Sequence, residues 1–235
     1  MKKMAGFFLF FPVLYAEGQS AVQINSSPSM AVDSAVNLYF AARDKELEIY
    51  NGRVFYGYPG IDGHAFYPSK DWQKGSILYD GTLYHDVFMQ YDVYKDQVII
   101  RHPNTIPIYV FSERVQKFYF GGQVFIRLRP DKNNVLKEGF YQILTEGKVT
   151  IVVMRQKKLE EKIVDLTVER KFLSSNLYYA LKDGNYYPIS KQKFLLNLLK
   201  DKRQNILKHL KKEKLKYKQD AERTIVTIAE FYNQS

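Results

Sequence analysis

The stretch that decides the fold is SILYDGTLY, residues 76–84, in which two short runs of strand-favouring residues flank Asp80-Gly81. An Asp-Gly pair in this setting signals a two-residue hairpin, because both central residues of the tight turn need positive φ and glycine accepts that without a steric penalty. The pattern recurs along the chain: Gly121-Gly122 separates KFYF from QVFIRL, Glu146-Gly147 separates FYQILT from KVTIVVM, and Asp183-Gly184 separates LYYAL from NYYPI. Strands joined in this way are antiparallel neighbours, so the chain from Asn51 to about residue 189 reads as an antiparallel β meander. The 19 tyrosines and 16 phenylalanines suit strands with one buried and one wet face.

On both sides of this region the apolar period changes. Val36, Tyr39, Phe40 and Leu47 predict a helix over 34–46, with Asp33 or Ser34 as its cap. Downstream, Leu195, Leu199, Ile206 and Leu210 fall on one helical face after a candidate N-cap at Ser190. A last helix follows Asp220, with Ile225, Ile228, Ala229 and Tyr232 on its stripe, so LKYKQD joins the two into a helical hairpin. The stretch RQKKLEEKIVDLTVERKFLSS, residues 155–175, reads as mostly extended, because Val164, Leu166 and Val168 alternate with Asp165, Thr167 and Glu169. The expected class is α+β: an N-terminal helix, a meander of roughly eight to ten strands forming a curved sheet or open barrel, and a basic C-terminal helical hairpin packed against it.

Lys2 and Lys3 precede an apolar run from Met4 to about Ala16, followed by small and polar residues. That is the three-part plan of a secretory signal peptide, and cleavage after Ser20 leaves small Gly18 and Ser20 at the recognition positions. The run is shorter than the roughly 20 residues a bilayer span needs. The expected organisation is therefore a signal peptide at 1–20, a helix plus β domain at 21–189 and the helical hairpin at 190–235. The mature protein is expected in the periplasm or at the outer membrane, soluble once the leader is removed. The chain has no cysteine, so neither disulfides nor a lipid-attachment cysteine contribute. Its stability must come from a packed core, which a chain of this length can support.

The formal charge of +10 is concentrated in one place. Residues 190–218 carry eleven lysines and arginines against Asp201 and Glu213, and the remainder of the mature chain is neutral. Such a distribution argues against general nucleic-acid binding. It points instead to an anionic surface met by Lys200, Lys202, Arg203, Lys208, Lys211 and Lys212. Lysines on the outer face of an amphipathic helix can also be merely solvated, and the apolar stripe requires the helix to dock on something.

The segment GYPGIDGHAFYPSKDW, residues 57–72, is the candidate binding loop, through Asp62, His64, Phe66, Tyr67 and Trp72. Its prolines and glycines preorganise it for a ligand, or for a stiff corner in which His64, Phe66, Tyr67 and Trp72 plug one end of a curved sheet; the corner is the reading adopted here. Chemistry is sparsely signalled. The four histidines form no HExxH, and a metal site from His64, His85 and acids such as Asp62 or Asp86 would need the turn to fold over the strand at 82–91. There is no cysteine nucleophile, no G-x-S-x-G elbow and no phosphate-cradling glycine loop, so no catalytic residue and no cofactor is assigned.

The run YNGRVFYGYPGIDGHAFYPSKDWQKGSILYDGTLYHDV, with GGQVFIRL, EGFYQIL and the close AERTIVTIAEFYN, resembles a set of exported proteins of Bacteroidota-type bacteria for which no function is assigned. The resemblance spans about residues 34–235 and implies export and a shared fold, without catalytic residues to carry over. In organisation alone the chain is similar to the half-barrel lipoprotein and lipid carriers of the periplasm. The leading expectation is a non-enzymatic envelope module that binds an envelope protein, glycan or lipid, with a basic helix on an anionic membrane surface. A half-barrel carrier of an acyl chain is the alternative, and a hydrolase the third.

Overall fold

The computed structural model describes residues 48–101 and 106–234. The leader and the helix expected over 34–46 lie outside them. The first half of the described chain carries β1 (Arg53–Val54), β2 (Phe66–Tyr67), β3 (Gln73–Tyr79), β4 (Thr82–Asp92), β5 (Gln97–Arg101) and β6 (Ile108–Tyr109). Then follow β7 (Val115–Phe120), β8 (Gln123–Leu128), β9 (Gly139–Thr145) and β10 (Thr150–Met154). The strands end with β11 (Lys157–Val164), β12 (Thr167–Ser174), β13 (Leu177–Lys182) and β14 (Asn185–Pro188), and the chain closes with helices α1 (Gln192–Leu198), α2 (Arg203–Lys212) and α3 (Ala221–Gln234).

Three of the four glycine signals make the two-residue turns expected of them, with positive φ at Asp80 and Gly81, at Gly121 and Gly122, and at Asp183 and Gly184. The fourth, between β9 and β10, is longer. There Gly147 is required by a close approach, since a Cβ at this position would lie 2.6 Å from the Asn233 side chain. Twelve strands form one sheet in the order β1-β6-β5-β4-β3-β7-β8-β9-β10-β13-β14, with β2 paired to β4. All its pairings are antiparallel. The strand count exceeds the eight to ten expected, and the path is not one continuous meander. After β6 the chain returns to the far side of β3, so that β7 opens a second meander there.

The sheet is strongly curled and remains open, with β1 and β14 as its edges. Four strand spacings separate β4 from β9, about 19 Å in a flat sheet. Yet the Tyr91 and Phe140 rings on these strands are 6.1 Å apart. Register shifts at Gly75/Ile77, Leu78/Tyr79 and Ile151/Val152 mark irregularities of the kind that bend strands. The inside of the curl is filled by side chains, including the fully buried rings of Tyr79, Tyr91, Phe118, Phe120, Phe125 and Phe140. Phe118 and Phe125 stack at 4.7 Å. On β9, alternate residues share a face: Phe140 belongs to this aromatic core and Leu144 to the core beneath the helices, with Gln142 between them.

The helical core joins Ile151 and Ala180 of the sheet to Leu195, Leu199, Ile206, Leu210, Ile225 and Ile228, so both predicted stripes are buried. The basic region is not one helix of a hairpin, however. It breaks at Leu199, with φ −108° and ψ 38°, and continues through a 3₁₀ turn, Lys200–Lys202, into α2. Leu195, Leu196 and Leu199 are buried together in this core, α2 lies against α3, and α3 lies against β9 and β10. Ser190 is not the cap, since α1 begins after Lys191 without a side-chain cap. Asp220 does cap α3, its Oδ1 accepting the Arg223 N–H at 2.9 Å.

Candidate functional site: a lysine-rimmed groove

The 57–72 segment is a corner. Asp62 lies against β12 through its backbone, its N–H donating to Arg170 O at 2.8 Å and its carbonyl accepting from Phe172 N at 3.2 Å. Ala65 O accepts from Val93 N at 3.0 Å, and Phe66 and Tyr67 pair with β4 as β2. Successive strand residues point to opposite faces, so the five candidate side chains separate. Asp62 forms an exposed ion pair with Lys171 at 3.6 Å. His64 stacks on Phe66, with centroids 6.1 Å apart, and its Nδ1 accepts from Phe66 N at 3.2 Å, which leaves the neutral-ring proton on Nε2. Burial, then the neighbouring Lys157 ammonium, push the His64 pKa down. Tyr67 turns inward beneath the Arg155 guanidinium at 4.5 Å.

Trp72 corrects the expected plug. It is only partly buried and lies under the Arg101 guanidinium, 4.6 Å from its ring centroid, where Phe88 is Arg101's cross-strand partner. His85 does not approach His64; it is exposed, with Nδ1 3.2 Å from Ser76 Oγ. Among the described residues no group of three or more His, Asp or Glu is placed to hold a metal ion.

Two buried polar clusters near the corner are satisfied from within the fold. Asp92 accepts from the hydroxyls of Tyr58 and Tyr109 and from the backbone N–H groups of Tyr94 and Lys95. Arg155 donates to both oxygens of Glu222, at 2.5 and 2.8 Å, and to Gln142 at 2.7 Å. Burial pushes the Glu222 carboxyl up, but the Arg155 guanidinium and the Tyr178 hydroxyl outweigh it and hold the pKa below its usual value. Both clusters bind elements together and present no open valence to a substrate.

Exposed lysines that form no ion pair with a described residue cluster at the end of α2. Leu215 N donates to Leu210 O at 3.0 Å across a six-residue ring, and Lys214 takes φ +56° in the position that glycine usually fills. Holding a lysine there in place of glycine costs about 1 kcal/mol. The reversal folds Leu215 back toward α2 and creates a groove of about 620 Å³. Leu207, Leu210 and Leu215 give it an apolar floor, Lys211, Lys214 and Lys216 a basic rim, and Gln192 of α1 and Gln219 its polar ends.

Of the six basic residues singled out from sequence, Lys200, Lys208, Lys211 and Lys212 are exposed and carry no ion pair with a described residue. Lys202 instead lies over the Tyr232 ring at 5.0 Å, and Arg203 donates to Asn197 Oδ1 at 3.2 Å. Sequence reasoning missed Lys214, Lys216, Leu207 and Gln192. The lysines were visible as charge density, whereas the groove depends on a left-handed residue and on a contact between two helices.

No described helix is long and apolar enough to cross a membrane. The chain matches no family model, no curated protein and no solved structure.

Proposed function

We propose that this is a non-enzymatic binding module of the bacterial cell envelope that engages an anionic surface through the lysine-rimmed groove at the end of α2. The observation that carries the reading is the combination of exposed lysines without acidic partners and an apolar floor within one concave feature. Solvation alone would call for the charges and not for the leucines. Phospholipid head groups with their adjoining acyl region offer the matching pair of chemistries. The leader-like pattern at residues 1–20 supports export, and the resemblance to exported envelope proteins points the same way.

The test is co-sedimentation of the chain from residue 21 onward with vesicles of phosphatidylglycerol in phosphatidylcholine, compared with phosphatidylcholine alone, over a range of salt. Binding is expected only to the anionic vesicles and should weaken as salt rises. Each basic residue at such a surface is worth about 1 kcal/mol, so replacing Lys211, Lys214 and Lys216 together by glutamine should lower partitioning on the order of a hundredfold. Equal binding by the triple variant would remove the groove from the function.

A further inference from the structure

Strands β11 and β12 form a two-stranded sheet of their own, tied to the rest by backbone bonds near the root, and the hairpin is largely exposed; of its strand residues Phe172 alone is buried. At its tip, Asp165 and Leu166 make a two-residue turn with φ values of 47° and 66°. Thr167 Oγ1 donates to Val164 O at 2.6 Å across it. Leu166 is 99% exposed, and its neighbours Ile163 and Val168, directly paired across the strands, are 79% and 52% exposed. Leucine is thus placed where solvent disfavours its side chain and where the left-handed backbone favours glycine. Among the described residues nothing covers the Leu166 side chain.

The position of the hairpin narrows what the tip meets. Asn233, near the end of α3, holds Val149 at the start of β10, while Glu222 in the first turn of α3 holds Arg155 just beyond the end of β10. Helix α3 therefore runs antiparallel to β10. Its beginning, and the lysine-bearing turn that precedes it, share one end of the molecule with the root of the hairpin. The root of the apolar-tipped hairpin and the unpaired lysines occur together at that end.

We propose that the β11–β12 tip is an apolar wedge that enters the interfacial layer of an anionic phospholipid bilayer, with Leu166 at its point and Ile163 and Val168 behind it. The proposal deepens the electrostatic reading above and rests on it. A protein partner fits less well, because a specific protein interface buries at least about 1,200 Å², whereas a two-strand tip offers a few side chains. Interfacial insertion needs no minimum area, since each apolar group contributes by itself. The ion pair between Glu161 and Arg170 at 2.7 Å, and the Lys162–Glu160 pair at 3.1 Å, set a charged collar behind the tip. Asp165 keeps the insertion shallow, at a depth where water still reaches its carboxylate.

Because the chain has no cysteine, Leu166→Cys supplies a single thiol for a polarity-sensitive fluorophore. On phosphatidylglycerol-containing vesicles its emission should shift to the blue, and the shift should persist at salt concentrations that partly release the protein. Leu166→Gly, which keeps the turn, should leave thermal stability intact and lower vesicle partitioning about tenfold. If the protein sediments with vesicles while the label stays in water, or if Leu166→Gly binds as well as the parent, the wedge is overturned and the lysine reading survives. Absence of sedimentation at every salt concentration overturns both. A blue shift that grows with protein concentration and needs no vesicles would assign the tip to a second copy of the chain and overturn the bilayer proposal.

Discussion

Within the turn between β4 and β5, two aspartates do different work. Asp92 is fully buried and collects two tyrosine hydroxyls and two backbone N–H groups, which ties the 57–72 corner to the sheet through Tyr58. Asp96, at φ 54°, accepts the Tyr91 hydroxyl at 2.5 Å and the Phe140 N–H at 3.1 Å. Burial pushes its pKa up to about 6, against the pull of those hydrogen bonds and of Arg127. A carboxyl whose folded pKa exceeds its unfolded value destabilises the fold when it ionises. Stability should therefore fall as pH rises from about 4 to about 6 and then level, by on the order of 2–3 kcal/mol. Asp96→Asn accepts the same left-handed backbone and cannot ionise. Its chemical-denaturation midpoint should stay flat across that window, and a variant that keeps the parent's slope would assign the titration elsewhere. In the sequence, YDVYKDQ showed neither role, because burial of both carboxyls depends on β6, β9 and the corner, all distant along the chain.

At the scale of elements, α3 is fastened to the sheet at both ends. Asn233 bonds Val149 N and O at 2.8 and 2.9 Å, and Glu222 pairs with Arg155. Since the lysine turn leads directly into α3, this fastening also sets where the groove sits. Glu222→Ala leaves a buried guanidinium without its partner and should destabilise the protein by about 3–5 kcal/mol. Changing Arg155 and Glu222 together to methionine should recover most of that loss, because an apolar pair of similar volume avoids the desolvation cost. Thermal melts of the single and double variants check this, and a double variant as unstable as the single one would show that the hydrogen bonds to Gln142 and Tyr178 matter more than charge pairing. The same scale shows where the sequence was readable. Asp80-Gly81, Gly121-Gly122 and Asp183-Gly184 announced their turns because glycine is the residue that positive φ favours. Asp165-Leu166 makes the same turn with a residue that does not favour it, so the stretch read correctly as mostly extended while its turn went unmarked. The break at Leu199 was hidden for a related reason: Leu195, Leu199, Ile206 and Leu210 fit one straight face, so the apolar period carries no mark of the bend.

For the whole molecule, the curled sheet and its helices form the body, and the β11–β12 hairpin adds little to it. The hairpin's ties include Phe172 against Tyr58 and Tyr94, at 5.4 and 5.3 Å, the backbone bonds of Arg170 and Phe172 to Asp62, the Lys171–Asp62 ion pair, and the bonds of Lys157 to Val93 O and His64 O. All of these fall in the half of the hairpin nearest the body. The Glu161↔Arg170 pair marks the boundary, beyond which the strands bond only to each other. Replacing residues 162–169 by Asn-Gly should therefore give a shorter hairpin closed by a favourable turn, with the corner and both cores intact. Its melting temperature should match the parent within about 2 °C, since the removed surface contributes almost no burial. Partitioning onto anionic vesicles should nevertheless fall about tenfold or more, because the apolar point is gone while every groove lysine remains. A shortened protein that melts much earlier would mean that the distal hairpin supports the body, and its exposed leucine would then need a structural explanation. One that melts normally and binds normally would place the whole of the surface recognition in the groove.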